Sequence, residues 1–239
     1  MEVIIIFFMQ VAIHQPEFLP WLGFFYKMAL ADKYVVFDHV QFKKRYFENR
    51  NRIVSPKKEI SYISVPVKTK GRYTQSICDV EIDNTQRWKD KLLKKIQHFY
   101  SKAAYFKEYY EDLYSLINVK EYNYLLELNV AIISYFRRHI GISTPMVYSS
   151  EFDVDSYKGS DLILQLCILN KAKVYLCGIS GRNYLNLKDF KDNNIKIQWM
   201  DYKSPAYSQL CEGFVPNMST LDLLFNHGKN SLKILMNKT

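Results

Sequence analysis

Residues 11–42 read VAIHQPEFLPWLGFFYKMALADKYVVFDHVQF. An apolar run, Val11 to Ile13, ends at His14-Gln15-Pro16. A short turn holding two prolines follows, then a helical stretch from about Trp21 to Ala31, then a second apolar run, Tyr34 to Phe37, ending at Asp38-His39. This is a strand, helix, strand unit with polar residues at both strand ends. Parallel strands need such a crossover, and open parallel sheets bind ligands just beyond the carboxyl ends of their strands. His14, Gln15, Asp38, His39 and Gln41 are therefore expected to meet at one crevice.

Outward from that unit, the sequence predicts a hairpin followed by helices. Ile53-Val54, a turn at Pro56-Lys57-Lys58 and an alternating run from Ile60 to Val67 read as two strands, and Ile77 to Ile82 alternates again as a third. From about Thr85 to Arg138 the period becomes helical: Trp88, Leu92, Leu93, Ile96, Phe99 and Tyr100 share one face, and further helices run over 105–117 and 122–139. Gly141 stands where a helix C-cap is expected. Parallel α/β character then returns, with strands at 145–149, 173–177 and 195–201 and helices at 155–170 and 187–193. Asp155 or Ser156 is the expected N-cap of the first of these helices. A last helix begins at Thr220, with Ser219 as its cap. The expected class is α/β, a Rossmann-like parallel sheet with an inserted β-hairpin region and a helical subdomain. It is read as a single domain over 1–239 with a helical insertion at about 85–140.

Composition narrows the function classes. The 239 residues are 48% hydrophobic and 24% charged, an ordinary globular balance that can bury a substantial core. The formal charge of +9 favours anionic partners such as nucleotides, sugar nucleotides, nucleic acid or a membrane face. Its densest cluster is Lys43-Lys44-Arg45, followed by Arg50 and Arg52. The 19 tyrosines and 15 phenylalanines fit either polar clefts or an AT-rich coding bias. The cysteines at 78, 167, 177 and 211 form no CxxC pair and have no metal-ligand spacing with histidine, so they read as reduced thiols of a cytoplasmic protein with no metal site. The apolar run from Val3 to Met9, even joined to Val11–Ile13, falls far short of the roughly 20 residues that span a bilayer. Met9 opens the same strand, so translation from Met1 or from Met9 fits the pattern equally.

Several clusters are candidate sites, each set against a structural role. A strand-end His14 beside a proline-fixed turn presents an imidazole to a ligand as base, acid or phosphate contact, or else ties down the following loop. Gly178 to Tyr184, with Ser180, Gly181 and Arg182, is a strand-end glycine loop whose amides suit an anionic or sugar ligand. In Asn49-Arg50-Asn51-Arg52 an extended backbone puts the two asparagines on one face and the two arginines on the other. Tyr207, Gln209, Asp222 and Asn226 gather near the C-terminus, with Asp222 and Asn226 four apart on one helix face. Trp21, Phe24 and Phe25 read as core, and His98 and His139 carry no partner signal. Ser180 has no visible triad partners.

The succession IHQPEFLPWLGFFYKMALADKYVVFDHVQF, ENRNRI, VYLCGISGRNYL and PAYSQLCEGFVPNMSTLDLLFNHG resembles the WbqC-like family from about Met9 to Gly228. That family is associated with bacterial O-antigen and capsule gene clusters, so the resemblance implies a pathway rather than a reaction. The opening strand, turn, Pro20-Trp21-Leu22-Gly23, helix, Ala29-Leu30-Ala31-Asp32 also resembles HIGH-type nucleotidyltransferases. The slots of their two histidines hold Trp21 and Phe24, which cannot donate charged hydrogen bonds to a phosphate, so this likeness implies the fold alone. The resulting expectation is a transferase acting on a nucleotide-linked amino sugar in surface-polysaccharide biosynthesis, by acyl or aminoacyl transfer to the sugar amine. His14 is the expected base, with Gln15 and Asp38 also catalytic. Gln15, Asn49 and the amides of 178–181 would be donors, and Arg50 and Arg182 would hold a diphosphate. The donor would be an activated acyl or aminoacyl group, and a charged tRNA carrying it would be the one nucleic-acid partner. The alternatives are a nucleotidyltransferase-like enzyme with a rearranged site and a non-catalytic sugar-nucleotide binding protein.

Overall fold

A computed structural model describes residues 8–237. Most of the Val3–Met9 run lies outside them. The described chain forms two compact units, each built from three stretches of sequence. The first takes residues up to Gln15, then Lys27–Phe37 and Thr144–Tyr202. The second takes Pro16–Tyr26, Asp38–Ser143 and the remainder from Lys203.

The first unit is a five-stranded, all-parallel sheet. Its strands are β1 (Gln10–His14), β2 (Lys33–Val36), β5 (Met146–Tyr148), β6 (Val174–Gly178) and β7 (Lys196–Met200). They are ordered β5-β2-β1-β6-β7. Helix α1 (Leu22–Leu30) links β1 to β2, its last turn belonging to this unit, while α5 (Gly159–Leu169) and α6 (Leu187–Asp192) link β5 to β6 and β6 to β7. Val11, Ala12, Tyr34, Val35, Leu176 and Cys177 are buried, as the apolar runs require of strands covered on both faces. Lateral order departs from chain order at one place. From β1 the chain adds β2 and β5 on one side, then returns to β1 and adds β6 and β7 on the other. This is the doubly wound arrangement, and its switch point lies between β1 and β6.

The second unit holds an antiparallel hairpin, β3 (Arg50–Val54) and β4 (Ile60–Ser64), with helices α2 (Trp88–Tyr100), α3 (Phe106–Asn118), α4 (Leu125–Ile140), α7 (Thr220–His227) and α8 (Ser231–Leu235). Its core is aromatic. Phe25 meets Phe136 with centroids 5.4 Å apart, and Phe225 meets both Tyr100 and Phe106, at 5.6 and 5.2 Å. Gly141 caps α4 in the left-handed region (φ 88°), the conformation that selects glycine there. Ser219 caps α7 by accepting from the Leu221 amide.

Three predicted elements differ. Residues 77–82 are not a strand but a 3-10 turn over Ile77–Asp79 with single bridges beside it. Ile77 and Cys78 donate their amides to Val40 and Asp38, and Ile77, Val80 and Ile82 are all buried. One-sided burial by a turn mimics the alternation of a strand. Helix α5 starts at Gly159, not Asp155, because Val154–Tyr157 closes its own turn. Helix α4 starts at Leu125 because Tyr122 to Tyr124 bond back to Asn84, Ile82 and Glu81. No helix among the described residues is long and apolar enough to cross a membrane.

Candidate functional site at the sheet switch point

In the first unit, β1 and β6 pair through Ala12 and Leu176, and both end two residues further on, at His14 and Gly178. The His14 Nδ1 lies 3.0 Å from the Gln15 carbonyl. A carbonyl only accepts, so Nδ1 carries the proton and the second lone pair belongs to Nε2. Lys27, in the last turn of α1, is 6% exposed and donates its ammonium to the Ile13 carbonyl at 3.1 Å. Burial and the Lys27 charge lower the His14 pKa to about 3, against a small opposing effect of the Gln15 bond. The imidazole is therefore neutral at physiological pH. The Cys177 thiol, at the end of β6, is pushed up by burial and pulled partly back by Tyr175 and Lys27, so it is not a thiolate nucleophile.

Beyond β6 the predicted glycine loop is a 3-10 helix, Ile179–Asn183. Its two glycines have different reasons to be there. A Cβ on Gly181 would stand 2.3 Å from Cys177 Sγ and 3.2 Å from the Trp199 ring, so that glycine serves packing. A Cβ on Gly178 would meet nothing nearer than Ser180 Oγ at 4.0 Å, and its φ of −65° suits any residue. Neither packing nor backbone conformation demands glycine at 178. A molecule approaching the backbone there would meet no side chain at that position. Ser180 and Tyr184 are exposed, and the exposed Arg182 stacks its guanidinium 5.3 Å from the Trp199 ring centroid.

The remaining predicted site residues lie in the second unit. Along β3 the alternation is as the sequence suggests: Asn51 is fully buried and Arg50 and Arg52 sit on the other face. Asn51 donates to the Phe18 carbonyl at 3.2 Å and Asn49 to the Val65 carbonyl at 3.0 Å, so both amides hold backbone. Arg52 reaches the Asn217 carbonyl at 3.2 Å. Asp38 is 1% exposed, and Gln41 donates to the Tyr73 carbonyl at 2.9 Å. Tyr207 and Gln209 both donate to Asp222 Oδ2, at 2.8 and 2.7 Å, and Asn226 bonds the Asp222 carbonyl. Gln209 also bonds both the amide and the carbonyl of Val215. Tyr207 and Gln209 thus pin the segment before α7 to Asp222 on that helix, while the Asn226 bond stays within the helix. Burial raises the Asp222 pKa against the bonds from Tyr207, Gln209 and Tyr100.

The pattern of the WbqC-like protein family matches residues 15–234. This chain belongs to the WbqC-like family. An uncharacterized protein of Mycobacterium tuberculosis (strain ATCC 25618 / H37Rv), Rv1507c, is 34% identical over 220 residues, 92% of this chain and 94% of that protein. No solved structure matches. In this WbqC-like protein, sequence reasoning missed Lys27, Glu48 and Asn129. Lys27 looks like an ordinary helix lysine until the fold places its ammonium at the end of β1. Glu48 is 1% exposed, and among the described residues neither carboxylate oxygen has a well-formed hydrogen bond. Burial raises its pKa to about 7, opposed by its own amide and by Lys43. Asn129, fully buried, donates to the carbonyls of Pro16 and Glu48 at 3.0 and 2.8 Å. His139, read as lacking a partner, faces Asp112 at 3.3 Å on the helices of the second unit.

Proposed function

We propose that this WbqC-like protein is a transferase of surface-polysaccharide biosynthesis that binds a nucleotide-linked amino sugar at the β1/β6 switch point and acylates its amine. The observation that carries the reading is the pairing of a neutral His14 with an unforced Gly178 at the two strand ends of a doubly wound sheet. Switch points in such sheets hold nucleotides and related ligands. Family membership supports the pathway, since the family is associated with O-antigen and capsule clusters. Amides at 178–181 and the Arg182 guanidinium suit a diphosphate.

Acyl transfer asks little of the base. The amine nitrogen attacks the acyl carbonyl, a C–N bond forms, and the bond from that carbon to the leaving oxygen or sulfur breaks. The proton shed by the nitrogen goes to Nε2 of His14 and on to the leaving group. Lys27 and burial keep His14 unprotonated and ready to accept. A weak base also releases the proton promptly.

The same weak basicity favours one other reading, a sugar-nucleotide binding protein without turnover. Thermal shift with UDP-, dTDP- and GDP-linked amino sugars, followed by mass spectrometry of the sugar with acyl and aminoacyl donors, separates the two. A ligand at a hundredfold excess over its Kd stabilises by about 2.7 kcal/mol. The expected result is a shift with one nucleotide class that Gly178→Ala abolishes, together with an acylated product that His14→Ala loses while still binding. A shift without product supports the binding protein. No shift with any nucleotide sugar overturns both readings.

A further inference from the structure

We infer that the exposed face of the β3–β4 hairpin is a binding surface for a single-stranded polynucleotide. Strand pairing sets Arg50 opposite Ser64 and Arg52 opposite Tyr62, so these side chains share one face while Asn51 and Ile63 take the other. Contacts then run in sequence across that face and the segment before it. The Lys43 ammonium lies 5.5 Å from the Tyr46 ring centroid, and Tyr46 meets Phe47 at 5.7 Å. The Arg52 guanidinium lies 6.0 Å from Phe47, and Arg50 stacks 4.6 Å from Tyr62. Cations and rings alternate in two runs, Lys43–Tyr46–Phe47–Arg52 and Arg50–Tyr62, which strand pairing sets side by side through Arg52 and Tyr62. Tyr46 and Tyr62 are about half exposed, at 51% and 49%.

Among the described residues the fold takes one hydrogen bond from these two arginines, from Arg52 to the Asn217 carbonyl at 3.2 Å. Their Nε atoms are buried without a hydrogen-bond partner, and neither arginine pairs with a carboxylate among the described residues. Guanidinium donors held in place and unneutralised call for an anion. Three cations, each beside a ring, exceed what one phosphate engages, and the rings offer platforms for unpaired bases. A duplex keeps its bases stacked on one another and would use only the charges. A lipid surface would need a contiguous apolar patch, which the interleaved cations interrupt. This surface lies in the second unit, and it goes beyond the switch-point reading.

Fluorescence anisotropy with a labelled single-stranded RNA of roughly ten nucleotides tests it, alongside a duplex of equal length and vesicles of anionic lipid. Single-stranded RNA is expected to bind best. Tyr62→Ala is expected to weaken it about five- to hundredfold while Tyr62→Phe retains it, because stacking needs the ring and not the hydroxyl. Arg50→Gln and Arg52→Gln should each flatten the salt dependence by about 0.7 in the log–log slope. Tyr46→Ala repeats the ring test at a second position should Tyr62→Ala fail to fold. Equal affinity for duplex or vesicles, or unchanged affinity in a folded Tyr62→Ala or Tyr46→Ala variant, overturns the inference. A nucleotide-sugar shift that depends on Gly178 stands or falls separately.

Discussion

Two ionisable side chains, the half-buried His14 and the buried Glu48, make opposite demands on pH. His14 has its pKa lowered from 6.5 to about 3, so below 6.5 the unfolded chain takes up a proton that the folded chain refuses. Its contribution to stability is complete above pH 6.5 and is lost as the pH falls toward 3, at up to about 1.4 kcal/mol per pH unit. Glu48 has its pKa raised from 4.5 to about 7, so its contribution is complete below pH 4.5 and is lost as the pH rises through 7. Urea denaturation across pH 4 to 8 should show Glu48→Gln gaining on the parent chain above pH 6, on the order of 1–3 kcal/mol at pH 8. His14→Gln should gain on the parent below pH 6. Parallel pH profiles for parent and variants would mean that neither group is buried as described. The sequence made His14 conspicuous because it ends an apolar run beside a proline. It hid Glu48, since a glutamate in a basic, polar stretch reads as solvated, and only the fold brings Asn129, 81 residues away, to its carbonyl.

At the scale of elements, the β6–loop turn separates two glycines that look alike in sequence. Gly181→Ala drives a methyl into Cys177 Sγ and the Trp199 ring. Overpacking of that kind costs about 1–3 kcal/mol. The cost should shrink in the double variant Gly181→Ala/Cys177→Ala, because the nearest clashing atom is gone. Gly178→Ala should leave the unfolding free energy within about 0.5 kcal/mol of the parent, since its methyl meets only Ser180 Oγ, at an ordinary contact distance of 4.0 Å. A large loss there would show that Gly178 is needed by the fold, and would remove the reason to reserve it for a ligand. Central strands were legible because burial on both faces writes them as unbroken apolar runs. Residues 77–82 and the start of α5 were not, because a buried turn can copy a strand's alternation, and Asp155 and Ser156, though good caps by type, sit in a turn that ends before the helix begins.

At the scale of the molecule, neither unit is a continuous piece of chain, so each must gather segments that are distant in sequence. The second unit joins Pro16–Tyr26 to residues more than a hundred positions away, and Asn129 is one of the side chains that fastens them. Its amide nitrogen bonds the Pro16 carbonyl, 113 residues upstream, and the Glu48 carbonyl, 81 residues upstream. The two carbonyls cannot donate, so the orientation of the amide is fixed. Asn129→Ala would strand both carbonyls where water does not reach. A buried polar group left unmade costs about 1–3 kcal/mol, so the loss should be about 2–4 kcal/mol, a large part of a typical domain's stability. Asn129→Asp is the discriminating comparison. Its volume is unchanged, but an acceptor then faces two acceptors, so the loss should match or exceed that of alanine if the bonds matter and should be slight if only packing does. Urea titrations followed by tryptophan fluorescence supply both numbers. Hydrogen exchange should place the damage first at residues 16–19, where Phe18 also donates to Phe47 and accepts from Asn51. Exchange at 16–19 as slow in Asn129→Ala as in the parent would show that the segment is held without this amide.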